Sequence, residues 1–176
     1  MYNSKKHKRK SIRRKNYDYT KPGAYFVTIC TYRRRQLFGK INNQKMILNI
    51  TGMAARKYWL EIPDHFPQVK LDTFVIMPDH IHGLFWIVDR GSRGEKFFAP
   101  DAIAHTAKKR SRPRGTSMTV GSIVRGFKIG VTKWVRKRNP GQIVWQRNYH
   151  DRIIQNDTQL FRIRQYIENN PANWKD

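Results

Sequence analysis

Two apolar runs joined by a short polar turn constrain this chain more than any other feature. Residues 71–77 read LDTFVIM and residues 81–88 read IHGLFWIV, with Pro78, Asp79 and His80 between them. Both runs have the length and the content of β-branched and aromatic residues that are typical of strands. Because both are apolar at consecutive central positions, we expect both strands to be central in a sheet.

The elements on either side complete an alternating pattern. We predict, in chain order, a strand over 24–32, a helix from an Asn43 cap to about Trp59, the two strands above, a helix over 120–138 capped by Thr119 or Ser117, a fourth strand from 143–145 onward, and a helix over 158–169 capped by Asp157. This order predicts an α+β, ferredoxin-like (split βαβ) antiparallel sheet with helices on one face and an added C-terminal helix.

The charge of the chain favours a polyanionic partner. Lys and Arg number 36 against 12 Asp and Glu, for a formal net charge of +24. Such an excess attracts nucleic acid and predicts binding that weakens with salt. Eight of the basic residues fall within residues 1–15, which predicts a flexible basic arm over 1–16 ahead of a single domain over 17–176. Residues 89–118 read as a long basic loop.

Three segments carry the side chains that we expect to contact phosphates, namely the arm, the long loop and the helix over 120–138. The candidate DNA-binding residues are Lys8, Arg9, Lys10, Arg13, Arg14, Lys109, Arg110, Arg125, Lys128, Lys133, Arg136 and Lys137.

Other classes of protein fit the sequence less well. No apolar run is long enough to span a bilayer and no signal peptide is evident, so we expect no membrane partner and a cytoplasmic location. Cys30 is the only cysteine, which excludes an internal disulfide and a cysteine-based zinc site.

Two histidines begin the third predicted strand. His80 and His82 are one residue apart, so the alternation of a strand places both imidazoles on one face, and Ile81 on the other. Two imidazoles at this spacing can chelate one divalent ion if a third ligand comes from elsewhere. The bare H-x-H pattern also arises by chance, and a structural role for both histidines stays open.

The last predicted helix offers a second pair of polar residues. Leu160, Ile163 and Ile167 form its core-facing stripe. Tyr166 and Asn170 are four positions apart, so they lie one turn apart on an adjacent face. They are either a border residue and a helix cap or, beside a metal, a nucleophile and an amide ligand.

These segments together resemble a known family. The residues are VIMPDHIHGLFWIV around His80 and His82, WQRNYHDRII over 145–154, and YIENNPANW over 166–174. They are similar to the HUH single-strand nucleases with one tyrosine, in particular the transposases of insertion-sequence type called REP-associated tyrosine transposases. The likeness covers roughly residues 16–176.

The resemblance implies a function and a role for each motif. His80, His82 and Asn170 would hold Mg²⁺ or Mn²⁺, although the insertion-sequence branch more often has glutamine at the position of Asn170. Tyr166 would attack single-stranded DNA beside a hairpin or palindromic repeat, keep a 5′-phosphotyrosine link and release a 3′-OH. The family also implies a bacterial, nucleoid-associated protein that acts as a monomer or homodimer. For His150 we favour a structural or DNA-contacting role over a role as a general base.

Two other classes of function stay in competition. A non-catalytic nucleic-acid-binding module on the same fold would expose aromatic residues for base stacking, with Phe26, Tyr32 and Phe85 as candidates. A basic structural or ribosome-associated protein would explain the charge alone. Only the nuclease hypothesis predicts metal dependence and a covalent adduct.

Overall fold

The computed structural model describes residues 18–89 and 119–175. The strands are β1 Gly23–Cys30, β2 Gly39–Asn42, β3 Lys45–Leu48, β4 Val69–Ile76, β5 His80–Ile87 and β6 His150–Ile154. The helices are α1 Ile50–Leu60, α2 Ile62–His65, α3 Val120–Arg138 and α4 Asp157–Glu168.

Four strands form an antiparallel sheet in the order β4-β5-β1-β6. One crossover leads from β1 through α1 to β4, and β5 fills the gap between these strands. A second crossover leads from β5 through α3 to β6, and β1 fills that gap. The predicted α+β fold with an antiparallel sheet and a C-terminal helix is confirmed.

The helices α1 and α3 cover one face of the sheet. The odd-numbered residues Tyr25, Val27 and Ile29 of β1 are fully buried against them. Trp59 of α1 lies over β5, where a Cβ added at Gly83 would come within 2.1 Å of the indole ring. Glycine at position 83 therefore lets α1 pack directly on the central strand, since a larger residue would overpack the core.

The helix α4 packs on the opposite face of the sheet. Leu160 and Ile167 are buried there, with Ile163 beside them, against Ala24 and Leu84. This is the predicted apolar stripe, and burying each such side chain stabilises the fold by about 1.5–3 kcal/mol. The C-terminal helix is thus seated on the sheet face that carries the even-numbered residues of β1 and β5.

The helix predicted to begin at Asn43 is wrong in its first part. Residues 39–48 form the hairpin β2–β3, and its turn residues Asn43 and Gln44 have φ values of 47° and 58°. Two consecutive positive φ values are typical of a tight hairpin turn, which asparagine tolerates. The cap of α1 is Asn49, whose side chain accepts hydrogen bonds from Thr51 N and Gly52 N.

Three further expectations need correction. Only β5 of the two apolar strands is central, because β4 lies at the edge of the sheet. Residues 143–145 contribute one isolated bridge, from Trp145 to Thr31, and the regular fourth strand begins only at His150. The cap of α4 is Asn156 rather than Asp157, since its side chain accepts from Gln159 N.

Helix α3 agrees with its prediction, beginning after the Thr119 cap and ending at Arg138. No helix in the described part of the chain is long and apolar enough to cross a membrane.

Candidate metal and nucleophile site

Strand β5 places both histidines on the face of the sheet that α4 covers. His80 and His82 are 7% and 5% exposed, and their Nε2 atoms lie 3.0 Å apart. Their neighbours on β1 are Cys30 and Thr28, respectively. The Phe26 ring stacks on His82 with a centroid distance of 5.3 Å. The neighbouring residues of β1 thus hold the two imidazoles in place on the sheet.

Each imidazole has a second partner at its other nitrogen. Nδ1 of His80 lies 2.5 Å from Oδ1 of the buried Asp79, so the ring donates to that carboxylate and its Nε2 carries a lone pair. Nδ1 of His82 lies 2.9 Å from the Thr28 hydroxyl. A carboxylate behind a histidine fixes the ring and raises its basicity as a ligand, as is common at metal centres.

Two tautomers of His82 satisfy these contacts. In one, Nε2–H of His82 donates to Nε2 of His80. In the other, Nδ1–H donates to Thr28, and two Nε2 lone pairs face each other across 3.0 Å. The second arrangement is repulsive by itself, and a cation between the lone pairs would relieve the repulsion.

His82 is held in its neutral form. Burial lowers its pKa to about 3, and the neighbouring His80 imidazole and Arg34 guanidinium act in the same direction. Only the neutral imidazole can ligate a metal, so His82 is ready to do so throughout the physiological pH range.

Tyr166 reaches the histidine pair from α4. Its hydroxyl oxygen lies 3.2 Å from Nε2 of His82, and its ring meets Phe26 edge-on at 6.2 Å. The residue is 49% exposed, so a substrate can approach it from solvent. The hydroxyl is a donor to one tautomer of His82 and an acceptor from the other.

A buried ion pair fixes α4 on the sheet. Arg164 donates from Nε and Nη2 to the two carboxylate oxygens of Asp72, at 2.9 and 2.6 Å. The Asp72 side chain is fully buried in β4 and also accepts from the Trp86 indole at 2.9 Å. Burial alone raises the pKa of Asp72, but the hydrogen bonds from Arg164, Trp86 and the Thr73 backbone outweigh it, and the pKa is lowered.

The segment from Tyr166 to Trp174 contacts one histidine at each of its ends. Tyr166 contacts His82, and Trp174 packs over His80 with ring centroids 6.0 Å apart. Helix α4 ends with Asn169 as its C-cap, so Asn170 lies in the turn that follows rather than capping the helix. Asn170 is midway along the chain between the two contacts and is half-buried.

The donor set fits a divalent cation that keeps part of its water. Two ligands at right angles with bonds of about 2.1 Å are about 3.0 Å apart, which is the distance between the two Nε2 atoms. The described residues contain no group of three or more His, Cys, Asp and Glu side chains around one point. Further ligands would be the Asn170 amide, water and substrate phosphate, as is usual for Mg²⁺ and Mn²⁺.

The candidate DNA-binding residues fall into two groups. Lys8, Arg9, Lys10, Arg13, Arg14, Lys109 and Arg110 lie outside the described residues. The others are on α3, which covers the sheet face opposite His82. The groove along α3 is lined by Arg125, Lys128, Lys133, Arg136 and Arg147, with Ile129 and Tyr149 among its other residues. Lys137 is exposed on the same helix.

Lys128 also has a structural contact. Its ammonium donates to the backbone carbonyls of Gln146 and Asn148 at 2.8 and 2.9 Å, and burial lowers its pKa to about 8. The lysine thereby ties the segment ahead of β6 to α3.

Strand β6 places two further residues near the site: His150, for which we expect a structural or DNA-contacting role, and Arg152, to which the sequence assigned none. His150 and Arg152 of β6 pair with Thr28 and Phe26, so both lie on the face of the histidine pair. His150 is about 10 Å from His82, across two strand spacings. The spacing of two residues between His150 and Arg152 in a strand is the signal that could have identified Arg152.

Comparison of the sequence with known proteins identifies one close relative. No model of a protein family matches the chain. An uncharacterized protein of Haemophilus influenzae is 45% identical over 174 residues, which cover 99% of this chain and 94% of the relative. The chain belongs to the same family as this protein.

Comparison of the structure finds a similar fold among solved structures. A REP-associated tyrosine transposase bound to a REP hairpin superposes with a TM-score of 0.58 at 18% identity, covering 91% of this chain and 73% of the other. This protein therefore has the fold of a REP-associated tyrosine transposase. A putative transposase from Deinococcus radiodurans gives a TM-score of 0.44 at 16% identity, which is too weak to support a shared fold.

Proposed function

We propose that this protein is a metal-dependent single-stranded DNA endonuclease and strand transferase, a transposase of the one-tyrosine type. It cleaves next to hairpin repeats through a 5′-phosphotyrosine intermediate. The observation that supports this most strongly is the meeting of three side chains, with the Tyr166 hydroxyl 3.2 Å from Nε2 of His82 and that atom 3.0 Å from Nε2 of His80.

Each side chain has a distinct role in this reaction. A divalent ion, Mg²⁺ or Mn²⁺, held by His80, His82 and Asn170 would neutralise charge on the scissile phosphate. Asp79 fixes the His80 ring, and Thr28 fixes the His82 ring. The Tyr166 hydroxyl gives its proton to solvent and its oxygen attacks phosphorus; the bond to the 3′ oxygen breaks, and that oxygen takes a proton from solvent and leaves as a free 3′-OH. A later attack by a 3′-OH reverses the link, so no other energy source is needed.

The proposed substrate is single-stranded DNA that carries a hairpin or palindromic repeat. The net charge of +24 and the basic groove along α3 support contacts to phosphates. The related transposase structure contains a REP hairpin. Within the proposal, the sheet is ferredoxin-like, and the protein is bacterial, cytoplasmic and nucleoid-associated, as a monomer or homodimer.

A non-catalytic binding module is disfavoured by the placement of two of its three aromatic candidates, Phe26 and Phe85. Phe85 is fully buried against α1, and Phe26 is packed between His82 and Tyr166. Neither ring is free to stack on a base. Such a module also needs no phenol beside an imidazole pair.

Covalent trapping on a denaturing gel tests the proposal. The protein is incubated with labelled hairpin DNA from the flanks of its own gene, with Mn²⁺, with Mg²⁺ or with EDTA. We expect a metal-dependent protein–DNA band in the wild type and in Tyr58→Phe, a tyrosine on α1, and no band in Tyr166→Phe. Tight binding without any such band would favour the binding module.

A further inference from the structure

An arginine of the turn after β1 lies beside the histidine pair. Nη1 of Arg34 is 3.4 Å from Oδ2 of Asp79, whose other oxygen contacts His80. Burial raises the pKa of Cys30, the neighbour of His80 on β1, and the charge of Arg34 opposes that rise. Arg34 therefore reaches the site from the His80 side, whereas Tyr166 reaches it from the His82 side.

The turn holds Arg34 in an uncommon backbone conformation. Arg33 and Arg34 have φ values of 54° and 55°, in the left-handed region that larger side chains seldom adopt. The fully buried Thr31 fixes the turn, because its hydroxyl lies 2.8 and 2.9 Å from the carbonyl oxygens of Arg35 and Asp79. Strain of this kind persists where surrounding contacts impose it, and it is concentrated at functional sites.

Arg34 differs from the arginines on either side of it. The guanidinium groups of Arg33 and Arg35 lie over the Tyr32 ring, at 5.2 and 6.0 Å from its centre. Arg34 alone of the three is directed at Asp79. Its contact of 3.4 Å is longer than a strong charge-assisted hydrogen bond, and its side chain is 54% exposed. Most of its five donors thus stay available to a ligand.

We propose that Arg34 is a catalytic residue that binds the leaving 3′ oxygen of the DNA, an inference that rests on the proposed function. In phosphoryl transfer the attacking and leaving oxygens lie roughly in line across phosphorus. A phosphate held at the histidine pair has Tyr166 on one side and Arg34 on the other. As the bond from phosphorus to O3′ breaks, its electron pair goes to O3′, which takes a proton from solvent. The guanidinium donates a hydrogen bond to that oxygen and stays protonated.

A substrate with sulfur in place of the bridging 3′ oxygen tests this role. A thiolate is a better leaving group than an alkoxide and needs no hydrogen bond to leave. On this substrate, the variant that lacks the hydrogen bond should therefore form the adduct at the wild-type rate. We expect Arg34→Gln to form the Tyr166 adduct about 100-fold more slowly than wild type on ordinary DNA in Mn²⁺. On the sulfur-bridged DNA, cut at the same position, the two rates should be alike. Arg33→Ala, in the same turn, should match wild type on both substrates.

Two results would overturn the inference while leaving the proposed function intact. Arg34→Gln that is equally slow on both substrates would mean that Arg34 acts only through Asp79. Arg34→Gln that is as fast as wild type on ordinary DNA would remove it from the reaction. If wild-type protein forms no adduct that depends on Tyr166, the proposed function itself fails, and this inference fails with it. Arg34→Lys, tested alongside, should be partly active because it keeps the charge.

Discussion

The hydroxyl of Tyr166 lies 3.2 Å from Nε2 of His82, although 84 positions separate the two residues in the chain. Nε2 of His82 also faces Nε2 of His80 at 3.0 Å. One nitrogen therefore contacts both the proposed nucleophile and the proposed metal ligand. Its lone pair cannot hold a cation and accept from the phenol at the same time.

This competition predicts the effect of Tyr166→Phe on metal binding. The variant lacks the Tyr166 hydroxyl, whose hydrogen bond to His82 stabilises only the metal-free protein. The Mn²⁺ affinity should therefore stay equal or rise by up to about 10-fold. Titration of DNA-free protein with Mn²⁺, followed by calorimetry or electron paramagnetic resonance, measures it. A clear loss of affinity in Tyr166→Phe would instead make the phenol a metal ligand.

The carboxylate behind His80 predicts a second effect on the metal. Asp79→Asn keeps an oxygen for the His80 ring but removes the charge that strengthens the ring as a metal ligand. We expect Mn²⁺ affinity to fall about 10- to 100-fold. Asp64→Asn, an exposed carboxylate of α2, is the control and should bind Mn²⁺ like wild type. Unchanged affinity in Asp79→Asn would place the cation elsewhere.

The buried ion pair predicts that the free energy of unfolding depends strongly on Arg164. Arg164→Ala leaves the fully buried Asp72 carboxylate without its charge partner, and we expect a loss of about 3–5 kcal/mol in the free energy of unfolding. Urea unfolding measures it. Arg162→Ala, on the exposed side of the same helix, should change stability by less than about 0.5 kcal/mol. Equal effects of the two variants would show that the pair does not hold the helix.

The lowered pKa of Asp72 predicts how stability depends on pH. Above the unfolded value of about 3.9, the carboxylate is ionised in both states, so its full stabilisation is present. As the pH falls through the lower folded pKa, the unfolded chain binds the proton first and the stabilisation is lost. The difference in unfolding free energy between wild type and Asp72→Asn should be constant from pH 7 to about pH 5 and shrink below about pH 4. A difference that persists unchanged at pH 3 would contradict the ion pair.

Local patterns in the sequence predicted much of the fold, and their failures have physical causes. Helix α3 was predictable because a continuous apolar stripe follows a clear cap at Thr119. The hairpin β2–β3 was missed because Asn43 suits a positive-φ turn as well as a helix cap. The edge position of β4 was missed because α4 covers that strand, which gives it the apolar character of a central one.

From spacing alone, the site was predictable only where its residues lie close together in the sequence, as for the shared face of His80 and His82. A place for Tyr166 beside them followed from the family resemblance, and the structure has its hydroxyl 3.2 Å from His82. The ion pair of Asp72 with Arg164 and the contact of Arg34 with Asp79 depend on how distant segments pack. Neither contact leaves a signature in the spacing of residues along one chain.

The most direct test of the account is to identify the residue that carries the DNA. Wild-type protein is reacted with hairpin DNA and Mn²⁺, treated with nuclease and digested with trypsin. The fragment covering 165–175, QYIENNPANWK, contains Tyr166 as its only tyrosine. The account predicts that this peptide gains the mass of a 5′-linked nucleotide, located on Tyr166 by fragmentation and absent when EDTA replaces Mn²⁺. An unmodified peptide from protein that has cleaved the DNA, or a nucleotide on another residue, would contradict it.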